Sequence, residues 1–480
     1  MHILPPETFD TVSTLSFVRT VVGEVMALLP GDDQDIFQHG CDSLQATWIR
    51  NSILRVLIAS KKIDAKAIPS NFVYAHPTVR LLADMLEHLA SGGASSRLEV
   101  AARRSEDMIR MVTKYTLSPA FPNHVLAQSE PQPESVLVTG TTGVLGSHIL
   151  AELLGQPGIG NVYAFNRSSG ALGIHAHQRA VFEREGLNVS LLESPRLRLL
   201  EGDLLRQEFG LQTTEFDMLL RDVTWVVHNA WQVNFSVSLA SLEPHIAATR
   251  ALIDFALSTP VALEQQITDP HTVLGLGYTE SKWVAEQILE AAASQTTLKP
   301  VIIRLGQLCG ASNGAWKATE WFPTLLRTSQ LLGALPILHG KASWVRVNDA
   351  ARIIVNMSNS AERYLHLTHP HPVPTLFVLN HMSQLLSLPL IPFAEWFCAL
   401  EVAASEEANA ATNPGVRLLE FFRTYANTED QIERETLFPV VVDNAKAVQI
   451  SGSVMNELMP LSNEDAEKWV VHLQQKGYLV

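Results

Sequence analysis

The segment Val136-Leu-Val-Thr-Gly140-Thr-Thr-Gly143-Val-Leu-Gly146 constrains the fold more than any other stretch of the chain. A short apolar run leads into three glycines at three-residue steps, and the periodic run His148 to Leu154 follows. Glycine lets a backbone turn sharply and approach a diphosphate, while the helix behind the turn aims its free amides and its dipole at that charge. A glycine triplet alone is weak, but a strand before it and a helix after it make a dinucleotide fingerprint. The residues expected at the cofactor are Thr139, Gly140, Thr142, Gly143, Val144, Leu145 and Gly146.

The alternation of short β-branched runs with helical runs continues, which is the signature of a parallel α/β sheet. Strands are expected at 136–139, 162–166, 197–201, 224–228 and 301–304. Such sheets bind ligands at the carboxyl ends of their strands. That places Asp203 and Leu204 after the third strand, and Asn229 and Ala230 after the fourth, beside the glycines. Taken singly, Asp203 reads as a turn residue and Asn229 as a buried hydrogen-bonding residue. After the second strand, Ala164-Phe-Asn-Arg167 offers no acid for a ribose hydroxyl. Arg167 suits a 2′-phosphate and favours NADPH over NADH; a solvated loop cation would leave that choice open.

Tyr278-Thr-Glu-Ser-Lys282 heads another helical run, preceded by Gly275-Leu-Gly277. A spacing of four puts Tyr278 and Lys282 on one helix face. The ammonium is expected to lower the phenol pKa, so that the tyrosine exchanges a proton with a carbonyl oxygen near neutral pH. YxxxK is common by chance and gains meaning only behind the glycine fingerprint.

The first 90 residues differ. Val12, Leu15, Val18, Val22, Val25, Met26 and Leu29 follow helical steps, a second periodic run opens at Ser43, and a third lies around Val79 to Leu89. Asp42-Ser43-Leu44 stands where a turn meets a helix, and a serine or aspartate there is first of all an N-cap. SGGASSR at 91–97 and the Pro/Ser-rich stretch from Ser118 to Ser135 read as linker, with a charged helical segment from Arg97 to Tyr115 between them. Beyond about Ala311 the alternation gives way to aromatic-rich and helical stretches, a second lobe expected over the strand ends.

Length and charge narrow the functional classes. At roughly 150 residues per domain, 480 residues make about three units. The net charge of −14, with no basic tract, disfavours nucleic acid and anionic membranes as partners. No run of about 18 uncharged apolar residues appears, and the N-terminus has no signal-peptide pattern, so a soluble cytoplasmic protein is expected. Cys41, Cys309 and Cys398 lie too far apart for a disulfide framework or a CxxC metal site. His366, His369 and His371, interrupted by Pro370 and Pro372, read as a loop, and no metal is expected.

The string Gly40-Cys-Asp42-Ser43-Leu44, inside a small helical module with a flexible spacer behind it, resembles the GxDSL motif of phosphopantetheinyl carrier domains. The glycines with Asp203 and Asn229 resemble the extended short-chain dehydrogenase/reductase family. Together with HNAWQVNF (228–235), GYTESKWVAEQIL, RLGQLCG (304–310) and GAWKATEWFP, most of the chain resembles the carrier and thioester-reductase portion of fungal nonribosomal-peptide-synthetase-like adenylate-forming (carboxylic acid) reductases. The resemblance implies a four-helix carrier domain at 10–92, a linker at 93–133 and a Rossmann-type reductase at 134–480, whose mostly helical substrate lobe lies after 311. It implies a 4′-phosphopantetheine arm on Ser43 and a phosphopantetheinyl transferase to attach it. It also implies NADPH reduction of the carrier-bound acyl thioester through a thiohemiacetal to an aldehyde, with Tyr278 at the developing oxyanion and Lys282 holding phenol and ribose.

Two departures from that pattern stand out. The chain offers nothing that activates a free acid with ATP, so loading is expected from an adenylating domain or enzyme in trans, unless the chain is a fragment. Between Leu257 and Tyr278, where the family has an apolar strand ending in a Ser/Thr cluster, only Pro260 to Leu263 could make a strand, and it begins with proline. Ser258 and Thr259 are nearest and read as helix-end residues. The alternative reading is therefore a carrier or docking protein with an impaired reductase lobe. A third, an epimerase or dehydrogenase of a free small molecule, accounts for the glycines and YxxxK and leaves Ser43 unexplained.

Overall fold

The computed structural model describes residues 6, 8–26, 28–41, 43–60, 68, 72–91, 97–117, 120–122, 134–168, 170–234, 237–258, 277–405, 412–426, 434–436 and 442–480. They form two compact units: one gathers residues 1–119, 232–247 and 267–288, the other 120–231, 248–266 and 289–480.

In the first unit, helices α1 (Thr11–Val25), α2 (Ser43–Ser60), α3 (Phe72–Ala75) and α4 (Val79–Ala90) surround one apolar core. Phe17, Val18, Val21, Val22, Ile36, Ile49, Ile53, Phe72, Leu82 and Leu86 fill it. Asp10 caps α1 by accepting from the amides of Val12 and Ser13, and hydrogen bonds led by that of Thr8 hold its carboxyl down to about 2. The helix stops at Val25, short of the periodic pattern, and Leu28 and Leu29 are exposed. Pro30 explains the early end, since a residue before proline is turned away from helical geometry. Helix α5 (Arg97–Leu117) follows.

The second unit carries a parallel sheet of β1 (Glu134–Thr139), β2 (Ile159–Asn166), β3 (Leu197–Glu201) and β4 (Trp225–His228) in the order β3-β2-β1-β4. Helices α6 (Val144–Gly155), α7 (Ile174–Glu185) and α8 (Thr213–Asp222) lie between them in sequence. Strand periodicity sorts the side chains. Val136, Val138, Val162 and Ala164 face the core shared with α6, whereas Leu137, Tyr163 and Phe165 face the core of Leu219, Leu252 and Phe255. Leu252 and Phe255 belong to α9 (Glu243–Leu257). Burial on both faces is why β1 and β2 read as nearly continuous apolar runs.

After α9 comes α10 (Gly277–Gln295), then β5 (Ile302–Leu305), which pairs in parallel with the strand Tyr364–Leu367. All five strands expected from the sequence are present, within two or three residues at each end. Among the described residues, β4 pairs only with β1, and β5 only with Tyr364–Leu367, so the sheet is in two pieces. The expected gap after Leu257 falls there; residues 259–276 lie outside the described residues. Ser258 is a helix-end residue, its hydroxyl donating to the Asp254 carbonyl at 2.9 Å.

The C-terminal lobe is built on a separate aromatic core in which Trp316, Phe322, Trp344, Trp396, Phe422 and Trp469 are buried. It is mostly helical, as expected, with added two- and three-residue strands too short to leave a sequence pattern. His366 sits on a strand and not in a loop, while His369 and His371 are in the loop that follows. The three rings meet backbone carbonyls of Asp443, Met459 and Asn456 respectively, which is a structural use.

Candidate active site

The glycine loop lies in the second unit, between β1 and α6. Gly140 has φ +74°, a left-handed conformation that disfavours side chains, and a Cβ there would lie 2.9 Å from the Ala230 Cα. Gly146 sits inside the first turn of α6, where a Cβ would come within 2.1 Å of the Gly140 carbonyl oxygen and 2.7 Å of Asn229 Nδ2. The loop thus closes on itself and on the end of β4 because both positions lack side chains. Gly143 is the N-cap of α6 and caps it with no side-chain bond, leaving first-turn amides for a ligand.

Thr139 ties the ends of β1 and β4 together. Its hydroxyl oxygen accepts from the amides of Asn229 and Ala230, each at 3.1 Å, and lies 2.9 Å from His228 Nδ1. Asn229 Nδ2 donates to the Gly140 carbonyl at 3.4 Å. A second network, which the sequence reading missed, holds the loop from the other side. The buried Asn166 side chain accepts from the Thr142 amide at 3.2 Å and donates to Thr141 Oγ1 at 2.7 Å. Thr141 donates to Gln178 Oε1, and Gln178 Nε2 returns to the Thr141 carbonyl. Asn166, next to Arg167, was legible as a strand-end polar residue; Gln178 on α7 carried no signal.

Of the remaining cofactor residues, Val144 and Leu145 are half-buried in the first turn of α6, and Leu204 is buried. Arg167 is exposed and forms no ion pair among the described residues. Asp203 organises its own loop, accepting from the Leu205 amide at 3.0 Å with Arg206 at 3.6 Å. The cradle that side chains at Gly140 and Gly146 would fill, with the open first turn of α6, fits the diphosphate of a nicotinamide dinucleotide.

Tyr278 and Lys282 belong to the other unit. They share a face of α10, with Lys282 Nζ 5.8 Å from the Tyr278 ring centre. Here the sequence expectation of an activated phenol needs correction. Burial pushes the Tyr278 phenol up, and burial pushes Lys282 down to about 7 against the opposing pull of Glu286. Burial thus works against the charged form of both groups. The helix start is fixed by a close backbone approach, since a Cβ on Gly277 would lie 2.2 Å from the Val237 carbonyl oxygen. Ser43 is the first residue of α2, preceded by a turn in which Gly40 has φ +97°. Asp42 and the Ser43 side chain lie outside what is described.

The male sterility protein family model matches residues 138–265 and 259–354. The match is broken into two pieces within the interval where a strand was expected. An adenylate-forming reductase of Heterobasidion annosum is 36% identical over 98% of this chain, and one of Serpula lacrymans is 33% identical over 92%. The chain spans about half the length of these relatives, 46% and 45% respectively. Among solved structures, a thiolation-reductase di-domain from an archaeal nonribosomal peptide synthetase matches end to end at TM-score 0.64 and 16% identity. The terminal R domain of the myxalamid pathway matches 78% of this chain and 98% of its own, at TM-score 0.64 and 23% identity. Both likenesses concern the fold. Among the described residues, no helix is long and apolar enough to cross a membrane.

Proposed function

We propose that the chain, which is similar over nearly its whole length to part of the adenylate-forming reductases, reduces an acyl thioester held on its own carrier domain and releases the acyl group as an aldehyde. The glycine cradle, built for a diphosphate at the end of β1, carries this reading. Residues 10–92 are the carrier, 93–133 the linker and 134–480 the reductase, acting in the cytoplasm. Ser43 at the head of α2 takes the phosphopantetheine arm from a transferase, and an adenylating component supplies the acyl group.

When bound, NADPH supplies the hydride that the thioester carbonyl carbon accepts. The chain's own residues do the rest. Thr139, Gly140, Thr142, Gly143, Val144, Leu145 and Gly146 hold the diphosphate, and Arg167 takes the 2′-phosphate. Asp203, Leu204, Asn229 and Ala230 line the adenine and ribose side. Tyr278 Oη donates its proton to the carbonyl oxygen as negative charge develops there, an interaction worth about 3–4 kcal/mol in comparable sites; the thiohemiacetal so formed then breaks its C–S bond, its hydroxyl proton passing to the departing phosphopantetheine sulfur, and leaves the aldehyde. Lys282 takes up a proton once cofactor oxygens lie beside it, and then holds phenol and ribose together.

The test is to load an acyl group with a phosphopantetheinyl transferase and an acyl-coenzyme A, and then to follow NADPH absorbance and the released aldehyde. Oxidation that depends on loading supports the reading; oxidation with a free aldehyde or sugar but none with the loaded chain removes it. A second reading, a carrier with an impaired reductase lobe, is favoured by one observation. The sequence of 258–277 offers no apolar strand ending in a Ser/Thr cluster, and the two pieces of the family match overlap within it, at 259–265.

A further inference from the structure

Arg104 on α5 reaches Glu280 Oε1 at 2.9 Å. Glu280 falls between Tyr278 and Lys282, two residues from each, so it points away from their face of α10. Its side chain is only 4% exposed. The same guanidinium stands close to the end of α3, where burial first and Arg104 second among the lowering causes push the His76 imidazole down. Ten residues further along α5, Lys114 Nζ at 2.5 Å and Tyr115 Oη at 2.9 Å both meet Glu243, the first residue of α9. At 1.5 Å per residue these two anchorages are about 15 Å apart, so α5 is clamped along its length to the starts of two helices. Asp35, in the turn before Ser43, accepts from Ser241 in the same stretch as Glu243.

We propose that Arg104 is a positioning residue for the Tyr278–Lys282 pair, setting the rotation of α10 by neutralising a buried carboxylate on the back of that helix. The proposal rests on the reductase reading and adds to it a device by which the helix following the carrier fixes the proton donor. A buried carboxylate deprived of a cation 2.9 Å away draws the helix that carries it toward water. With side chains reaching about 5–6 Å from the helix axis, a roll of roughly 15° moves the Tyr278 hydroxyl by more than 1 Å. Misplacement on that scale costs about a hundredfold in rate. The glycine loop that takes the diphosphate stands on other elements, so cofactor affinity falls only by what the ribose contact of Lys282 contributes.

The experiment uses the full chain with a loaded acyl group. Arg104→Ala and the isosteric Glu280→Gln should each slow single-turnover NADPH oxidation by roughly 30- to 100-fold and leave affinity for 2′-phospho-ADP, which the glycine loop holds without Lys282, within about twofold. Arg104→Lys should keep most of the rate, and the exchange of Arg104→Glu with Glu280→Arg should recover it. Loss of thermal stability with an unchanged rate would overturn the proposal, as would an exchange that restores stability without the rate. If the unaltered chain fails to oxidise NADPH, the reductase reading fails separately, and titration of Lys282 then decides the positioning role. With lysines isotope-labelled at the terminal carbon and Lys282 assigned through Lys282→Met, Arg104→Ala should raise the midpoint above that of the unaltered chain. An identical midpoint would reject the coupling.

Discussion

Gly146→Ala tests the glycine cradle most sharply, because local propensity and tertiary packing pull in opposite directions. In a helix interior alanine is favoured over glycine by about 1 kcal/mol. At Gly146, however, the new methyl would start 2.1 Å from the Gly140 carbonyl oxygen, while Cβ contacts essentially never fall below 3.0 Å. The loop must therefore give by about 0.9 Å, and the atom in the way is backbone. Overpacking of this kind costs typically 1–3 kcal/mol, so the helix gain is cancelled or exceeded. The displaced segment is also the one whose amides should meet the diphosphate. Each bond to a charged group contributes about 1.5–3 kcal/mol, so losing one weakens NADPH by roughly 10- to 150-fold. Gly155→Ala in the same helix, with no atom within 4 Å of its Cβ position, is the control. It should leave binding intact and raise stability by a few tenths to 1 kcal/mol. Fluorescence titration with NADPH and thermal melts of both variants give the answer. Should Gly146→Ala bind NADPH within about threefold of the unaltered chain, the loop is not the cofactor cradle.

Other predictions follow from the same residues. Ser43→Ala should abolish the mass increase after treatment with a phosphopantetheinyl transferase and coenzyme A; a modified variant would reject Ser43 as the attachment site. The unaltered chain should bind NADPH more tightly than NADH, and Arg167→Ala should narrow that difference; equal affinities before mutation would remove the assignment. Lys282 has a folded pKa near 7, below its unfolded value. Between those values the unfolded chain binds the extra proton, so stability rises with pH across that window and the penalty is fully felt below it. Lys282→Met should therefore raise the melting temperature most at about pH 6, with the gain shrinking toward about pH 10; a gain that grows with pH would contradict the burial argument.

What could be read from the sequence was local. β1 and β2 are buried on two faces and announce themselves as apolar runs with β-branched residues, β3 is a leucine run with Arg198 exposed, and the glycine spacing located the loop. The connections that make the loop a site could not be read in this way. Asn166 reaches Thr141 across 25 residues and Gln178 reaches it across 37. Arg104 meets Glu280 across 176, and each partner alone is an ordinary surface-type residue. The phenol expectation failed for a related reason: helical spacing reports which side chains share a face, whereas the pKa depends on how much water reaches them. Burial alone raises the Tyr278 phenol, and at Lys282 it outweighs the opposing pull of Glu286.

The interval after Leu257 yields the prediction with the widest consequences. Among the described residues, β4 is half-buried along its length and bonded on one side only, and in β5 both Arg304 and Leu305 are exposed. A parallel α/β sheet buries its interior strands on both faces, so these are the properties of two edges. Trp225 and Val227 of β4 and Ile303 of β5 nevertheless pack against one and the same apolar core. That core holds both pieces on one layer. Hydride transfer should be slow even where NADPH binds, because the sequence of 258–277 offers no apolar strand ending in a Ser/Thr cluster, whereas Thr139 ends β1, and Arg167 and Asp203 follow β2 and β3, away from this interval. Inserting an apolar strand ending in Ser-Ser between Pro260 and Val261 should raise both the melting temperature and the rate of NADPH oxidation with a loaded acyl group. Several turnovers per second by the unaltered chain, or an insertion that changes neither quantity, would show that the two sheet pieces need no strand between them.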